Sequence, residues 1–448
     1  MSLSNSDTIA AIATPPGQAA IALLRVSGPQ AVEIAERVFR GPQLQARVQT
    51  FGKIVDENGI AIDEVLLTSF PGPNSYTGED TIEISCHGGL LVTQTVLERL
   101  LQSGARHAEG GEFTQRAFLN GKLDLTQAEA VMDVISAQTT LALRAANEQL
   151  GGKLGGQVEQ LRQDLIGIVA HVEAYIDFPE EDIDPDVGQQ LLDRIAVLRK
   201  EIERLTATAD QGRILREGVR TVIAGAPNVG KSSLMNVLLG FDRAIVSDTA
   251  GTTRDTIEEV INVGGIPLRL VDTAGVRDTA DSIEREGVSR AEQQIQNAEL
   301  VLEVLDGSHA KSENADLPDL SEDARYVCVL NKLDLGQHAD WSGADAVSIS
   351  CVDQSGIDEL TSQILSVLQG SGPAWGDHSV AVNARHKACL IQAGEFLSAA
   401  AERLEQAESP EFAALELRSA LDRIGDVIGK TDVEEILGEI FGNFCIGK

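Results

Sequence analysis

Residues 225–232 read GAPNVGKS, which matches the phosphate-binding loop pattern G-x-x-x-x-G-K-S at every fixed position. A β-rich run, residues 222–224, precedes the loop, and residues 233–238 read as the start of a helix. The glycines let backbone N–H groups and the helix N-terminus face a polyphosphate, while Lys231 neutralises the outer phosphates and Ser232 offers a hydroxyl to Mg²⁺. The stretch therefore predicts a site for a magnesium nucleoside triphosphate.

The base is expected to bind at a second motif, the N-K-x-D string of residues 331–334. This string follows the apolar run of residues 326–330, so it lies at the C-terminal end of a strand, where open α/β sheets bind ligands. The Asp334 carboxylate can accept hydrogen bonds from N1–H and N2–H₂ of guanine, a donor pair that adenine does not present. The sequence therefore predicts GTP rather than ATP.

Two further strings lie between these motifs. Residues 268–271 lead into the string DTAG at 272–275, where Asp272 can hold the water shell of Mg²⁺ and Gly275 leaves a backbone N–H for the γ-phosphate. Thr253 lies in the loop before the next strand and offers a second hydroxyl to Mg²⁺ while the γ-phosphate holds that loop. Four strings in this order, each beside a strand, distinguish the set from a chance match.

The hydrolysis step lacks its usual residue. Many GTPases carry a Gln directly after the D-T-A-G string to orient the attacking water, whereas this chain has Val276. Two replacements stand out: Asn228, whose amide oxygen can hold a monovalent cation near the phosphates, and Glu284 within the string SIER. Taken alone, the sequence favours a solvated carboxylate at the start of a helix for Glu284. A group other than the side chain of residue 276 must therefore assist hydrolysis.

Hydrophobic periodicity divides the chain. Up to about Arg116, short β-rich runs alternate with amphipathic helices, which indicates an α/β domain. Helical spacing fills residues 125–215 and returns at residues 384–444 after the linker at 370–373. These two helical blocks flank an α/β unit at residues 225–368, so the simplest interpretation is one helical domain interrupted by the nucleotide-binding domain.

Composition limits the class of protein. A chain of 448 residues is too long for one core and fits two or three domains. No apolar run reaches the roughly 18 residues of a membrane span, and no charged-then-apolar signal opens the chain, so we expect a soluble, cytoplasmic protein without a membrane partner. The five cysteines lack metal-ligand or C-x-x-C spacing, which indicates a reduced protein.

Three stretches outside the nucleotide motifs carry a family resemblance: FCIGK at residues 444–448, DTIAAIATPPG at 7–17 and GGEFTQRAFLNGKLDL at 110–125. Together with the nucleotide motifs, they resemble the MnmE (TrmE) family of tRNA modification GTPases over essentially the whole chain. The terminal C-I-G-K is the most specific of these signatures.

The resemblance implies an α/β and α multidomain fold. It implies an N-terminal α/β folate-binding and dimerisation domain, a helical domain, and a Ras-like P-loop GTPase domain inserted into the helical one. Their expected boundaries are 1–120 for the first domain, 121–217 and 373–448 for the two parts of the helical domain, and 218–372 for the GTPase domain.

The resemblance also implies an activity. In this family a potassium-activated GTPase works with the FAD- and NADH-using partner MnmG. Together they install the aminomethyl or carboxymethylaminomethyl group at C5 of the wobble uridine of certain tRNAs, from a 5,10-methylene- or 5-formyl-tetrahydrofolate donor. GTP hydrolysis would drive G-domain dimerisation and a conformational change, within a homodimer that joins MnmG as a heterotetramer.

Matching positions carry the family's site residues. Glu284 would position the attacking water, and Cys445 would place a thiol near the folate and uridine. The resemblance implies Ser232 and Thr253 for Mg²⁺, Asn228, Ser247, Thr249 and Thr252 for K⁺, and Arg25, Glu83, Lys122 and Lys448 for folate. The implied nucleotide contacts are Asn228, Val229, Gly230, Lys231, Ser232, Ser233, Ser247, Asp248, Thr249, Ala250, Gly251, Thr252, Thr253, Asp272, Thr273, Ala274, Gly275, Asn331, Lys332, Asp334, Ser350 and Cys351. The fifth guanine motif departs from the usual S-A-K, because residues 350–352 read SCV.

The formal net charge of −33 is unfavourable for RNA binding, because Lys and Arg contacts to phosphates supply most nucleic-acid affinity. Either a local basic surface such as Arg213, Arg216 and Arg220 collects the phosphates, or a partner protein holds the RNA. A second function class stays open at this point, a regulatory GTPase of ribosome assembly that performs no chemistry on RNA. The N-terminal domain and the C-I-G-K tail favour the tRNA-modification enzyme.

Overall fold

The structure is a computed structural model that describes residues 7–177, 187–241, 258–271, 293–311, 320–321, 323–370, 382–406, 409–430, 437, 440–441 and 444–447. The chain divides into two compact units. The first unit comprises Met1–Met132, Leu150–His171 and Leu417–Lys448, and the second comprises Asp133–Gln149 and Val172–Glu416. The expected domain boundaries after residues 120, 217 and 372 stay a prediction.

The described residues form strands and helices in both units. The strands are β1 Ile9–Ile12, β2 Ile21–Ser27, β3 Phe39–Arg40, β4 Thr50–Val55, β5 Ala61–Phe70, β6 Thr81–His87, β7 Arg106–His107, β8 Val219–Ala224, β9 Glu258–Val263, β10 Ile266–Val271, β11 Leu300–Asp306, β12 Arg325–Asn331 and β13 Val347–Ser348. The helices are α1 Ala31–Val38, α2 Leu90–Gln102, α3 Glu112–Leu119, α4 Leu125–Ser136, α5 Thr140–Leu150, α6 Lys153–Asp177, α7 Val187–Thr206, α8 Ala209–Glu217, α9 Lys231–Phe241, α10 Ile357–Gln369, α11 Ala384–Glu405 and α12 Pro410–Ile428.

The first unit contains a seven-stranded sheet in the order β3-β4-β5-β6-β2-β1-β7. Its neighbouring strands pair antiparallel, except for the parallel pair β1 and β7. Ala22, Leu24 and Val26 of β2 are buried in a core that also includes residues of α1 and α2. Successive side chains of a strand point to opposite faces, so Arg25 lies on the other face, and the register sets it opposite Glu83 of β6.

The second unit contains a six-stranded sheet in the order β13-β12-β11-β8-β10-β9. Neighbouring strands are parallel apart from the antiparallel pair β10 and β9. Strand β11 is apolar and buried over Leu300–Leu302 on both faces, as parallel strands covered by helices require. The chain runs from β8 to β10 on one side and to β11 on the other. Such a reversal of strand order creates a crevice outside the carboxyl ends of β8 and β11.

Helices of the second unit pack through regular apolar stripes. Helix α7 buries Leu191, Ile195, Leu198, Ile202 and Leu205, one residue per turn, and packs against α11. Helix α11 begins with a capping box, in which the Asn383 side chain accepts a hydrogen bond from the backbone N–H of His386 at 2.8 Å.

The predicted fold class is confirmed: an N-terminal α/β sheet, a set of long helices, and an α/β sheet that carries the phosphate loop. None of the helices in the described part of the chain combines the length and the apolar character that crossing a membrane requires.

Candidate functional site

The phosphate loop joins β8 to α9, as the sequence predicts. Two of its glycines adopt backbone conformations that L side chains rarely take, with φ +139° at Gly225 and +104° at Gly230. A Cβ at Gly225 would meet the carbonyl oxygen of Val304, and a Cβ at Gly230 would meet the side-chain nitrogen of Asn331. Both positions therefore require glycine, for backbone conformation and for close approach of neighbouring strand ends.

The start of α9 presents the polar groups that a polyphosphate needs. The Lys231 ammonium donates to the carbonyl oxygens of Gly225 and Ala226, each at 2.8 Å, and burial lowers the pKa of this lysine. Ser232 and Ser233 are exposed in the first turn of the helix, where backbone N–H groups also point outward. The turn thus combines a cation, two hydroxyl groups and the positive end of a helix dipole.

Two neighbouring residues of the loop, Asn228 and Val229, differ in exposure: the first faces solvent and the second faces the core. Asn228 is exposed and holds a left-handed backbone, φ +63°, which asparagine tolerates better than most residues. Val229 is buried in the core of the second sheet. The Asn228 amide therefore lies on the outer rim of the loop, on the solvent side of an anchored valine.

Asn331 ties three loops together at the end of β12. Its side-chain N–H₂ donates to the carbonyl oxygen of Val229 at 2.9 Å, and its amide oxygen accepts from the backbone N–H of Cys351 at 3.3 Å. The residue is only 3 % exposed, so the amide has little access to water as an alternative partner. Its contacts bring the phosphate loop, the N-K-x-D string and the loop after β13 into one site.

Asp334 occupies the exposed edge of this site. The hydroxyl of the buried Ser350 donates to Asp334 Oδ1 at 2.8 Å, and the same oxygen of Ser350 accepts from the backbone N–H of Val352 at 3.2 Å. The hydrogen bond from Ser350 fixes one carboxylate oxygen of Asp334, while the Asp334 side chain as a whole stays exposed. Cys351 stands half-buried beside it; burial, together with the nearby Asp334 charge, raises the pKa of the thiol.

Lys332 lies between Asn331 and Asp334 and pairs with a residue that the sequence motifs did not single out. Its ammonium contacts the carboxylate of Asp306, the last residue of β11, at 2.6 Å. The position of Asp306 at a strand end beside the strand-order reversal was the available signal, because such ends gather ligand-binding side chains.

The remaining predicted nucleotide and metal residues lie outside the described residues. These are Ser247, Asp248, Thr249, Ala250, Gly251, Thr252, Thr253, Asp272, Thr273, Ala274, Gly275 and Glu284.

A second candidate site lies on the sheet of the first unit. Arg25 Nε and Nη2 both donate to Glu83 Oε1, at 3.1 and 2.8 Å, across the pairing of β2 and β6. The guanidinium also lies 5.0 Å from the ring centre of Tyr76 and 5.7 Å from that of Phe113. An arginine enclosed in this way by a carboxylate and two aromatic faces is well fixed. Tyr76 and Phe113 were not predicted, because their contact depends on the fold rather than on spacing in the sequence.

Lys122 belongs to the same neighbourhood through the loop between β5 and β6. Its ammonium donates to the carbonyl oxygen of Pro73 at 3.0 Å, and Asn120 donates to the carbonyl oxygen of Thr77 at 2.7 Å. The Tyr76 hydroxyl shares a 2.8 Å hydrogen bond with the hydroxyl of Thr114. The loop that carries Tyr76 is thus hydrogen-bonded to three residues within the 110–125 string.

The end of the chain packs against this N-terminal unit. Ile446 forms an antiparallel bridge with Gly110, and the carbonyl oxygen of Cys445 accepts from the backbone N–H of Gly111 at 3.4 Å. A Cβ at Gly447 would meet the carbonyl oxygen of Ile12 at the end of β1. The Cys445 side chain is exposed, and Lys448 lies outside the described residues.

An ion network centred on the buried pair Arg116 and Glu112 supports the same unit. Arg116 contacts Asp7, Glu112 and Glu79 at 2.6, 3.0 and 3.3 Å, and Arg106 contacts Asp7 and Glu112 at 2.7 and 2.5 Å. Burial opposes ionisation of Glu112, but donation from Arg106, from a backbone N–H and from Arg116 outweighs it and lowers the pKa of that carboxyl. The network joins the start of β1 to α3 and the loop before β6.

Two of the three arginines predicted to form an RNA-binding surface, Arg213 and Arg216, pair with acidic side chains. Arg213 pairs with Glu299 at 2.6 Å, and Arg216 pairs with Glu217 at 2.8 Å. Each pair cancels a charge that would otherwise attract phosphate, so this surface is a weaker candidate than the sequence suggested.

Comparison with known proteins places the chain in a family. A family model described as the MnmE helical domain matches residues 125–445, and a model described as the N-terminus of the GTP-binding protein TrmE matches residues 8–122. Together the two matches span both units of the structure.

Full-length relatives agree with the family models. The tRNA modification GTPase MnmE of Akkermansia muciniphila is 52% identical over 445 residues, covering 98% of this chain and 99% of the relative. The protein of the same name from Clostridioides difficile is 45% identical over 456 residues, covering 99% of each chain. A solved structure of an Era variant from Aquifex aeolicus with GDP and AlF₄⁻ is 26% identical, with a match that covers 40% of this chain and 66% of that one and a TM-score of 0.27. On the family models and the full-length relatives, the chain belongs to the MnmE (TrmE) family of tRNA modification GTPases.

Proposed function

We propose that this chain hydrolyses GTP and couples hydrolysis to the modification of tRNA at C5 of the wobble uridine. The observation that carries the GTPase part is the Asn331 side chain, which joins the phosphate loop at Val229 to the base loop at Cys351. A nucleotide whose phosphates meet Lys231 would therefore present its base to Asp334. The printed name of the relatives, tRNA modification GTPase, supports the second part.

The residues at the start of α9 fit a magnesium nucleotide. The exposed hydroxyl of Ser232 follows Lys231 directly, so a metal ligand and a phosphate-binding cation stand side by side. We propose Thr253 as the second hydroxyl and Asp272 as the holder of the water shell. When bound, Mg²⁺ supplies positive charge to the β- and γ-phosphate oxygens. The chain itself would contribute the Lys231 ammonium and the N–H groups of the loop.

For the hydrolysis step we propose a potassium site at Asn228, completed by Ser247, Thr249 and Thr252. The exposed amide of Asn228 on the rim of the loop supports this proposal. Bound K⁺ supplies positive charge where charge develops in the transition state. Glu284 would position the attacking water by hydrogen bonding, because Val276 has no polar group for this task.

The hydrolysis proposal is tested by GTP turnover in potassium and in sodium at one ionic strength. We expect faster turnover in potassium, and we expect Glu284→Ala to lower single-turnover hydrolysis by about 10²-fold or more with little change in nucleotide affinity. Glu286→Ala, two residues away, is the matched control and should behave as wild type. Equal rates in the two salts would remove the potassium site, and a wild-type rate for Glu284→Ala would return that residue to a solvated carboxylate.

We further propose a tetrahydrofolate one-carbon donor at Arg25, Glu83, Lys122 and Lys448. The enclosed Arg25–Glu83 pair supports it, since it offers a cation and a carboxylate to the polar edge of a pterin. The tail places Cys445 against Gly111, and we propose that its exposed thiol lies near the donor. Titration of the purified protein with 5-formyl-tetrahydrofolate tests the site, because a regulatory ribosome-assembly GTPase has no reason to bind folate.

We propose that the working assembly is a homodimer that joins MnmG, which uses FAD and NADH, in a heterotetramer in the cytoplasm. The net charge of −33 and the acidic partners of Arg213 and Arg216 support a role for the partner in holding tRNA. In the same proposal the folate domain, the interrupted helical domain and the GTPase domain divide at residues 120, 217 and 372.

A further inference from the structure

The carboxylate of Asp306 is held by donors on both of its oxygens. Oδ2 lies 2.6 Å from the Lys332 ammonium and 3.3 Å from His309 Nδ1. Oδ1 accepts from the hydroxyl of Ser308 at 2.5 Å and from its backbone N–H at 3.0 Å. The side chain is 19 % exposed, so these protein groups replace most of its water. Few rotamers of Asp306 can satisfy all of these bonds together.

The turn that begins at Asp306 is hydrogen-bonded to the chain on both sides of Lys332. The backbone N–H of Gly307 donates to the carbonyl oxygen of Asn331 at 2.9 Å, and the backbone N–H of His338 donates to the carbonyl oxygen of Gly307 at 2.8 Å. The indole of Trp341 donates to the carbonyl oxygen of His309 at 2.8 Å. The carboxylate is therefore carried on a turn that is fixed to the base-binding segment at several points.

Lys332 is itself held in an uncommon conformation. Its backbone is left-handed, φ +69°, and it begins the short 3₁₀ helix Leu333–Leu335 that contains Asp334. The backbone N–H of Leu333 donates to the carbonyl oxygen of Ile349 at 3.0 Å, which fixes the direction of the chain there. With the backbone fixed, the remaining freedom of Lys332 is that of its long side chain, and its ion pair with Asp306 removes most of it.

The negative charge of Asp306 also favours its contact with Lys332. Burial opposes ionisation of Asp306, but the Lys332 ammonium and the Ser308 donors outweigh it and hold the pKa of that carboxyl well below its usual range. Asp306 is therefore ionised near neutral pH and presents a full negative charge to the Lys332 ammonium.

We propose that Asp306 is a positioning residue for the guanine nucleotide, a proposal that rests on the GTP site described above. It acts through Lys332, whose apolar stem it holds beside Asp334 so that the stem covers one face of the bound base. Ordering a long side chain opposes binding when it happens on ligand arrival, and a side chain already ordered by an ion pair avoids that loss. Asp306 makes no contact with the nucleotide in this proposal.

The expected effect of Asp306→Asn is a split between affinity and turnover. The substitution keeps the shape and the hydrogen bonds from Ser308 but weakens the hold on Lys332, so Kd for both GTP and GDP should rise by about tenfold. The kcat at saturating GTP should stay within about twofold of wild type, because the phosphate groups are bound elsewhere. Asp340→Asn, which alters an exposed carboxylate paired with His338, is the matched control and should leave Kd unchanged.

A double-mutant cycle with Lys332→Met separates positioning from general support of the fold. If Asp306 acts through Lys332, Asp306→Asn should cause no further loss of affinity in the Lys332→Met background. A tenfold loss in that background as well, or a wild-type Kd for the single variant, would overturn the proposal. The wild-type protein serves as the test of the underlying site: failure to prefer GTP over ATP would remove the guanine site itself, whatever the variants do.

Discussion

The two sheets of this protein build their sites in different ways. In the six-stranded sheet the central strands are parallel, so the carboxyl ends of β8, β11 and β12 meet at one edge, and the site consists of the loops that follow those ends. In the seven-stranded sheet most neighbours are antiparallel, and the polar pair consists of side chains that face each other on β2 and β6.

This difference decides what each site depends on. The nucleotide site uses backbone conformation at Gly225, Gly230 and Asn228, together with a buried amide that joins loops. The N-terminal site uses the register of two strands and ion pairs between long side chains. An added methyl group should therefore damage the first site most, and a lost charge should damage the second.

The largest effect is expected for Gly230→Ala. A Cβ there would meet the side-chain nitrogen of Asn331, and the backbone φ of +104° is unfavourable for alanine. Strain of about 1–3 kcal/mol and loss of a buried hydrogen bond of similar size together predict a GTP affinity lower by about 10³-fold. Calorimetric or fluorescence titration with GTP measures the change.

Gly240→Ala is the control for this prediction. Gly240 lies near the end of α9, has no left-handed backbone, and a Cβ there meets nothing within 4 Å. Alanine should leave GTP affinity unchanged and slightly favour the helix. If Gly230→Ala bound GTP as tightly as Gly240→Ala, the close contact between the phosphate loop and Asn331 would not hold in solution.

The next effect is expected for Glu112→Gln, which weakens the buried ion pair of Glu112 with Arg116 in the first unit. Removing one partner from a buried ion pair typically costs about 3 kcal/mol or more in the free energy of unfolding. The pKa of Glu112 is lower in the folded protein than the ordinary value of 4.5, so its contribution to stability is present above that value and is lost as the pH falls through the folded pKa. Urea unfolding at a series of pH values measures both effects.

Wild type should lose stability on acidification more steeply than Glu112→Gln, while the two proteins differ most near neutral pH. Glu64→Gln provides the control, because Glu64 forms an exposed pair with Lys53 at 3.2 Å. A pH profile of Glu112→Gln parallel to that of wild type would show that this carboxylate does not supply the acid-sensitive part of the stability.

The smallest of the three effects is expected for Arg25→Ala on folate binding. Loss of one charge-assisted hydrogen bond removes about 2 kcal/mol, so Kd for 5-formyl-tetrahydrofolate should rise by roughly 30-fold while GTP turnover stays at the wild-type rate. Lys53→Ala is the matched control, since Lys53 also faces a carboxylate across two strands of this sheet but is half exposed.

Equal folate affinities for Arg25→Ala and Lys53→Ala would remove Arg25 from the donor site and would leave the aromatic enclosure around it with a structural role. A fall in GTP turnover with Arg25→Ala would instead link the two sites and would break the separation on which the comparison rests.

The nucleotide motifs could be identified from the sequence because each one depends on residues that are close together in the chain. A strand, a loop and the start of a helix, close together in the chain, are enough to form the phosphate loop. The helix was predicted to begin at residue 233, and it begins two residues earlier, at Lys231. The N-K-x-D string likewise begins at the last residue of the observed strand β12, Asn331. Such local patterns are readable because hydrogen-bonding and glycine requirements act between near neighbours.

The residues of the N-terminal site could not be identified from local sequence patterns. Arg25 and Glu83 lie 58 positions apart, and only family resemblance selected them. The aromatic partners Tyr76 and Phe113, and the bridge between Gly110 and Ile446, follow from strand register and chain folding, which no local spacing indicates. Side chains on different strands meet only after the sheet has formed.

The sequence by itself determined that this chain binds a guanine nucleotide, because the phosphate loop and the N-K-x-D string specify their chemistry within a few residues each. It also determined the order of α/β and helical segments, through hydrophobic periodicity. Only the tertiary structure decided that Asn331 joins phosphate loop to base loop and that Asp306 holds Lys332. It alone decided that the tail lies against Gly110 and Gly111. The physical reason is that these contacts join segments distant in the chain, and their geometry is fixed by strand order and register rather than by neighbouring residues.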